Sequence, residues 1–137
     1  MTMIKITAGD FVFKAVTTPD KAPKTVEAFL KRLPWETRII HVRWSGEAVW
    51  MPLGDMDFGV GYEDATSHPA PGEMILYPGG VSETEILLAY GACAFASKAG
   101  QLAGNPFLRI VEGGERLREL GVETLWKGAK TIRFETA

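Results

Sequence analysis

The 137-residue sequence predicts a mainly β fold, a small closed eight-stranded barrel with two flanking helices. Three observations predict it. About eight short runs alternate apolar and polar residues between Gly, Pro and Asp signals, as barrel and sandwich strands do. Only two stretches carry helical spacing. The length suits one domain, and with 46% apolar and 23% charged residues the chain can fill a core and is unlike a disordered one. One domain over residues 1–137 is therefore expected.

Met3 to Ala8 alternates, Gly9-Asp10 is a turn signal, and Phe11 to Thr17 alternates again, which makes a first hairpin. Thr18-Pro19-Asp20 ends it, because proline cannot donate to a ladder. Pro23 to Leu33 is the clearest helix: proline suits a first helical position, and Val26, Phe29, Leu30 and Leu33 follow i, i+3, i+4, i+7 spacing until Pro34. Ile39 to Pro52 reads as a second hairpin turning at Ser45-Gly46. Gly54 to Gly72 keeps no apolar period, so a long excursion is expected there, with one short strand near Phe58 to Tyr62.

Glu73 to Tyr77 is a strand, Pro78-Gly79-Gly80 a turn, and Thr84 to Tyr90 an apolar strand expected at the centre of a sheet. Gly91 to Asn105 is rich in Gly, Ala and Ser, which permits close approach either between packed elements or around a ligand. Phe107 to Val111 is a strand. Gly113-Gly114 leads into a short helix, Glu115 to Leu120, with Gly121 expected at its C′ position. Lys130 to Thr136 is the last strand.

Composition excludes several functions. A net charge of -2 offers no basic field for nucleic acid or an anionic membrane, so neither partner is expected. The longest apolar run, Ile86 to Ala96, falls short of the roughly 20 residues a spanning helix needs. The opening Met1-Thr-Met-Ile-Lys-Ile lacks the plan of a secretory leader, and a cytoplasmic location is expected. The lone Cys93, between Ala92 and Ala94-Phe95, suits a buried, inert thiol in a reducing compartment. Two histidines and one cysteine without HxH, HExxH or CxxC spacing argue against a metal site, and His68, beside Pro69 in the long excursion, is expected to be exposed. No GxSxG, GxGxxG or GxxxxGK[ST] motif occurs, and no cofactor is expected.

The candidate working surface is the second hairpin. With a two-residue turn, Ile40, Val42, Trp44, Val49 and Met51 share an apolar face and belong against the core. Ile39, His41, Arg43, Ala48 and Trp50 share the other, whose cation, imidazole and aromatic suit a ligand face or, alternatively, a solvated one. Trp50 then lies opposite His41 or Arg43, and a cation–π contact with Arg43 contributes about 0.5–2 kcal/mol. A three-residue turn inverts the faces of one strand. Glu83 and Glu85 share a face at the start of the apolar strand; Glu85 is either a residue of raised pKa suited to acid/base duty or a strand-end charge in water.

From these residues a small-molecule pocket is expected. Arg43 holds an anionic group, Trp50 and Tyr77 supply apolar walls, and Lys98 is either a second anion contact or an ordinary surface lysine. His41 and Glu85 are the catalytic candidates, as proton-transfer groups, if any chemistry occurs; the sequence names no reaction. Trp35, Trp50 and Trp126 are equally candidates for an interface between copies, since aromatics are enriched there too, and a homo-oligomer is expected.

The helix segment Ala22-Pro-Lys-Thr-Val-Glu-Ala-Phe-Leu30 resembles the first helix of cyclophilins, which carries A-P-K-T-x-x-N-F after a β-hairpin; Ala28 stands in place of the asparagine. Further runs are Ile40-His-Val-Arg-Trp-Ser-Gly-Glu-Ala-Val-Trp50, Pro71-Gly-Glu-Met-Ile-Leu-Tyr-Pro-Gly-Gly80, Glu83-Thr-Glu-Ile-Leu-Leu-Ala-Tyr-Gly91 and Phe95-Ala-Ser-Lys-Ala-Gly-Gln-Leu-Ala-Gly-Asn105. Together they look like a bacterial domain-of-unknown-function family, number 3830, in the cyclophilin-like group. The resemblance implies a compact eight-stranded barrel with two flanking helices and brings no established activity. True cyclophilins isomerise prolyl bonds with an F-H-R strand followed by Q-G-G-D. Here the strand reads Ile40-His41-Val42, Arg43 lies one position on, and no Q-G-G-D occurs. Isomerisation or peptide binding is the alternative to the small-molecule reading, and a non-catalytic assembly subunit is a third.

Overall fold

Alternating apolar residues close the chain on itself. The computed structural model describes residues 1–137. Its strands are β1 (Met3–Ala8), β2 (Phe11–Thr17), β3 (Trp35–His41), β4 (Gly46–Pro52), β5 (Glu73–Tyr77), β6 (Glu85–Cys93), β7 (Ala96–Ser97), β8 (Gly100–Gln101), β9 (Asn105–Glu112) and β10 (Lys130–Thr136). The helices are α1 (Pro23–Leu30) and α2 (Leu117–Lys127), the latter entered through a 3₁₀ turn at Gly114–Arg116. Eight strands form a closed barrel in the order β1-β10-β3-β4-β6-β5-β9-β2, while β7 and β8 pair apart from it. Closure leaves the barrel without an unpaired edge.

Inward positions alternate along every barrel strand: Ile4 and Ile6, Phe11 and Phe13, Val49 and Met51, Ile86 and Leu88, Ile132 and Phe134 are all buried in one cluster. The helices close the two ends. Phe29 of α1 meets Phe107 and Phe134 edge-on, at 5.1 and 5.3 Å between ring centroids, while α2 lays Leu117 and Leu120 into the same cluster near Tyr90. A second, smaller cluster of Ala48, Ile75, Tyr77, Leu87, Phe95 and Leu102 lies on the outer face of β4, β6 and β5, beneath the β7–β8 segment. Those strands are thus covered on both faces, which is why β6 reads as a continuous apolar run rather than an alternating one.

Several expectations need correction. The turn between β3 and β4 is not a two-residue one: Ile40 pairs with Trp50 and His41 with Val49, so an odd count separates the paired residues, with residues 42–45 forming the loop and β4 bulging between Gly46 and Ala48. This inverts the faces of β3. Ile39 is fully buried and His41 follows it inward, while Ile40 faces outward with Trp50, and Trp44 is 57% exposed rather than in the core. No strand forms at 58–62; Phe58 instead packs edge-on against Trp35, which itself stacks on Phe134. α1 ends at Leu30, three residues early. α2 runs to Lys127, and Gly121 lies inside it, where any Cβ would overlap the Tyr90 ring. That glycine is a packing requirement and not a helix stop. Within the small-residue segment Gly104 likewise serves packing, for a Cβ there would press on Ile75 at 3.0 Å.

Candidate functional site

A pocket of about 210 Å³ opens on the outer wall of the barrel, lined by Val42, Arg43, Trp44, Ser45, Trp50, Ser82, Glu83, Glu85, Ala96, Ser97 and Lys98. Five elements build it. Trp50 of β4 and Glu85, the first residue of β6, form its floor on the outer face, because Glu85, Leu87 and Ala89 alternate outward while Ile86, Leu88 and Tyr90 alternate inward. The wide β3–β4 loop supplies Arg43 and Trp44, and the β5–β6 loop supplies Ser82 and Glu83. The β7 strand and its turn supply Ala96, Ser97 and Lys98.

The loop and the β7 segment are fastened to one another. The Ser45 hydroxyl donates to the Ala96 carbonyl and accepts from the Ala96 N–H, both at 3.0 Å, and Ala94 N–H donates to the Ser45 carbonyl. Beneath them the ring of Phe95 meets Tyr77 edge-on at 6.1 Å. The pocket walls are therefore anchored in the second apolar cluster.

Arg43 is exposed, with its guanidinium 6.0 Å from the Trp44 ring centroid, so the expected cation–π partner Trp50 is replaced by its neighbour in the loop. Lys98 is exposed as well. Glu85 is only 6% exposed. Burial first, and the neighbouring Glu83 second, push its carboxyl up to about 7. Glu83 is occupied in part by the Gly54 N–H at 2.9 Å. None of Arg43, Lys98, Glu83 and Glu85 belongs to an ion pair; all seven salt bridges of the fold lie elsewhere.

Four of the six residues singled out in the sequence, Arg43, Trp50, Glu85 and Lys98, thus come together. The other two do not. Tyr77 is buried behind the site, and its hydroxyl accepts from the Val81 and Ser82 N–H groups at 2.9 and 3.1 Å, so it shapes the β5–β6 loop instead of lining the wall. His41 faces the barrel interior. Its Nδ1 lies 2.8 Å from the Val42 carbonyl, which only accepts, so in the neutral ring Nδ1 carries the proton and Nε2 accepts from the Tyr90 hydroxyl at 2.8 Å. Above it Arg118 of α2 pairs with Glu47 at 2.8 Å and reaches over the Tyr90 ring, 5.8 Å from its centroid. This is a packed end of the barrel. Cys93 is half-buried, and burial pushes its thiol up to about 11, in keeping with an inert side chain.

Trp44 and Ser45 were missed as site residues. The assumed turn sent Trp44 to the core, and Ser45 looked like turn chemistry; only the odd count of the loop brings both to the pocket. No group of three or more His, Cys, Asp or Glu side chains is placed to hold a metal ion. No helix is long and apolar enough to cross a membrane.

The model of the family described as "Protein of unknown function (DUF3830)" matches residues 4–136. No curated protein matches the chain. Among solved structures, that of McbB in complex with tryptophan superposes with a TM-score of 0.74 at 18% identity over 97% of this chain. This chain spans only 44% of McbB. The solution structure of the hypothetical protein AF2241 from Archaeoglobus fulgidus gives a TM-score of 0.61 at 14% identity, over 99% of this chain and 95% of that one. At these identities the likeness is one of fold.

Proposed function

The chain belongs to this family of unknown function, and from its pocket we propose that it binds, and where Glu85 acts as a proton-transfer group processes, a small anionic metabolite. One observation carries the reading: Arg43, Lys98, Trp50 and Glu85, from separate elements, line one cavity in which neither cation makes a salt bridge. Unpaired cations beside aromatic walls fit a ligand's anionic group and its apolar body. The cavity is smaller than the roughly 300–1,000 Å³ of drug-sized sites, so the ligand is small. A protein of similar fold solved with tryptophan accords with a small-molecule role. We also infer, from the Ala22–Leu30 motif, that the barrel belongs to the cyclophilin-like group of bacterial proteins, and that it works as one cytoplasmic domain.

Calorimetry against small carboxylates, with and without an amino group, tests the reading. Binding that weakens tenfold or more in both Arg43→Ala and Lys98→Ala supports it. No binding at millimolar concentration, or affinities indifferent to both substitutions, overturns it.

A second reading rests on α2. Val122, Leu125 and Trp126 stand at i, i+3, i+4 on its outer face and are 40%, 51% and 80% exposed. Of the three tryptophans considered for an interface, Trp35 is half-buried against Phe58 and Phe134 and Trp50 lines the pocket, which leaves Trp126 open to a second copy.

A further inference from the structure

The pocket has a negative half as well as a positive one. Glu85 sits between Pro52 and Tyr77 in the ladder, on an outer face that the β7–β8 segment covers, and is 94% buried. Burial and Glu83 are what act on its carboxyl, and no hydrogen bond from the protein offsets them. No side-chain oxygen of the fold is both fully buried and unpartnered, so the Glu85 oxygens open into the pocket, where a ligand donor can reach them. Neither cation of the pocket does, since Arg43 and Lys98 make no ion pair with Glu85 or with Glu83. Both cations are on the exposed loop and turn, whereas Glu85 is on the barrel wall. Opposite charges thus line one small cavity without neutralising each other.

Resting on the reading of this pocket as a small-molecule site, we propose that its ligand is zwitterionic: an α-amino acid with an aromatic or other apolar side chain. Its ammonium donates to Glu85 and Glu83, and its carboxylate meets Arg43 and Lys98. The side chain lies against Trp50 and Trp44. A simple carboxylate satisfies only the cations and leaves Glu85 as it was. A simple amine does the reverse. Only a ligand with both groups supplies each half with its partner, and an ammonium–carboxylate contact in an enclosed site is stronger than the same pair in water.

Three probes with one apolar body separate the possibilities: phenylalanine, 3-phenylpropanoate, which lacks the ammonium, and phenethylamine, which lacks the carboxylate. Calorimetry and chemical-shift titration on the full chain are the readouts. Phenylalanine is expected to bind at least tenfold more tightly than either analogue. Glu85→Gln is expected to remove that advantage over 3-phenylpropanoate while leaving 3-phenylpropanoate binding unchanged or improved; the circular dichroism spectrum of the variant checks that it folds. Arg43→Ala is expected to weaken both acids together.

Equal or tighter binding of 3-phenylpropanoate, unaffected by Glu85→Gln, overturns the zwitterion and leaves the anion site standing. Phenethylamine as the tightest probe overturns it from the other side. If none of the three binds and no other small carboxylate does, both this proposal and the reading beneath it fall.

Discussion

Glu63 caps α1 from 38 residues away: its Oε1 accepts the Thr25 N–H at 2.8 Å and the Thr25 hydroxyl at 2.7 Å. Oε2 takes the Lys24 N–H at 3.0 Å. The helix has no cap of its own, since Ala22 stands at the N-cap and offers no side-chain acceptor. The Glu63 N–H in turn donates to the Asn105 side chain, and Asn105 reaches back to Thr25, so one carboxylate ties the long excursion, the helix and β9 together.

Glu63→Ala is accordingly expected to destabilise the fold by about 1–2 kcal/mol, the usual loss of a helix cap. Urea unfolding checks this, as a lowered midpoint at unchanged slope. Burial alone raises the Glu63 pKa, but the Thr25 side chain and the Lys24 and Thr25 N–H groups outweigh it and hold the value below normal. A depressed pKa contributes stability that is present above the unfolded value near 4.5 and is lost as pH falls below it. The wild-type protein should lose part of its stability in that acid window, and Glu63→Ala should show less of that loss. The remainder comes from Glu47 and Glu123, whose carboxyls are also held below normal, chiefly by hydrogen bonds from Arg118 and Lys130.

Glu85 produces the opposite slope. Its folded pKa of about 7 lies above the unfolded value of 4.5, so the folded state holds the proton more firmly. The stability this gives is complete below about pH 4.5 and is lost as pH rises toward 7, and at about 1.4 kcal/mol per pKa unit the decline is about 3 kcal/mol. Glu85→Gln, neutral throughout, should flatten the profile between those pH values. Carbon-13 titration of the Glu85 carboxyl provides the direct check, and a midpoint near 4.5 would refute the assignment.

Gly121→Ala separates helix propensity from packing. In an open helix the change is worth up to about 1 kcal/mol in favour of alanine. Here the added methyl meets the Tyr90 ring, which is fixed by His41 below and Arg118 above. Overpacking costs about 1–3 kcal/mol, so the net expectation is a lower melting temperature. A raised one would mean that Tyr90 yields easily.

These sites also show where sequence and structure part company. The first hairpin, β5, β6, β9 and β10 were legible because each combines apolar periodicity with a local turn signal, and the barrel follows from their number. The faces of β3 were not, because Ser45-Gly46 marks a turn without fixing its length, and one extra residue exchanges inside for outside. That single count put His41 in the barrel and Trp44 at the pocket. The end of α2 was misread because Gly121 looks like a stop in one dimension and is a packing contact in three. The cap from Glu63 has no sequence signature at a separation of 38 residues. Arg43, Trp50, Glu85 and Lys98 could be singled out as polar or aromatic residues among apolar ones, but only the folding of β7 over the outer wall makes them neighbours.

Self-association through α2 gives the last expectation. Val122, Leu125 and Trp126 form an apolar stripe with no partner in the fold, and aromatic residues are enriched at the centres of interfaces. Trp126 is 80% exposed and makes no stacking contact, so Trp126→Glu should leave the melting temperature of the monomer nearly unchanged while placing a charge in the middle of any interface built there. Sedimentation velocity over micromolar concentrations should then show a wild-type species heavier than 15.0 kDa and a variant shifted to the monomer mass. A wild-type protein that sediments as a monomer throughout removes the interface. A heavier species that survives Trp126→Glu moves it to another face.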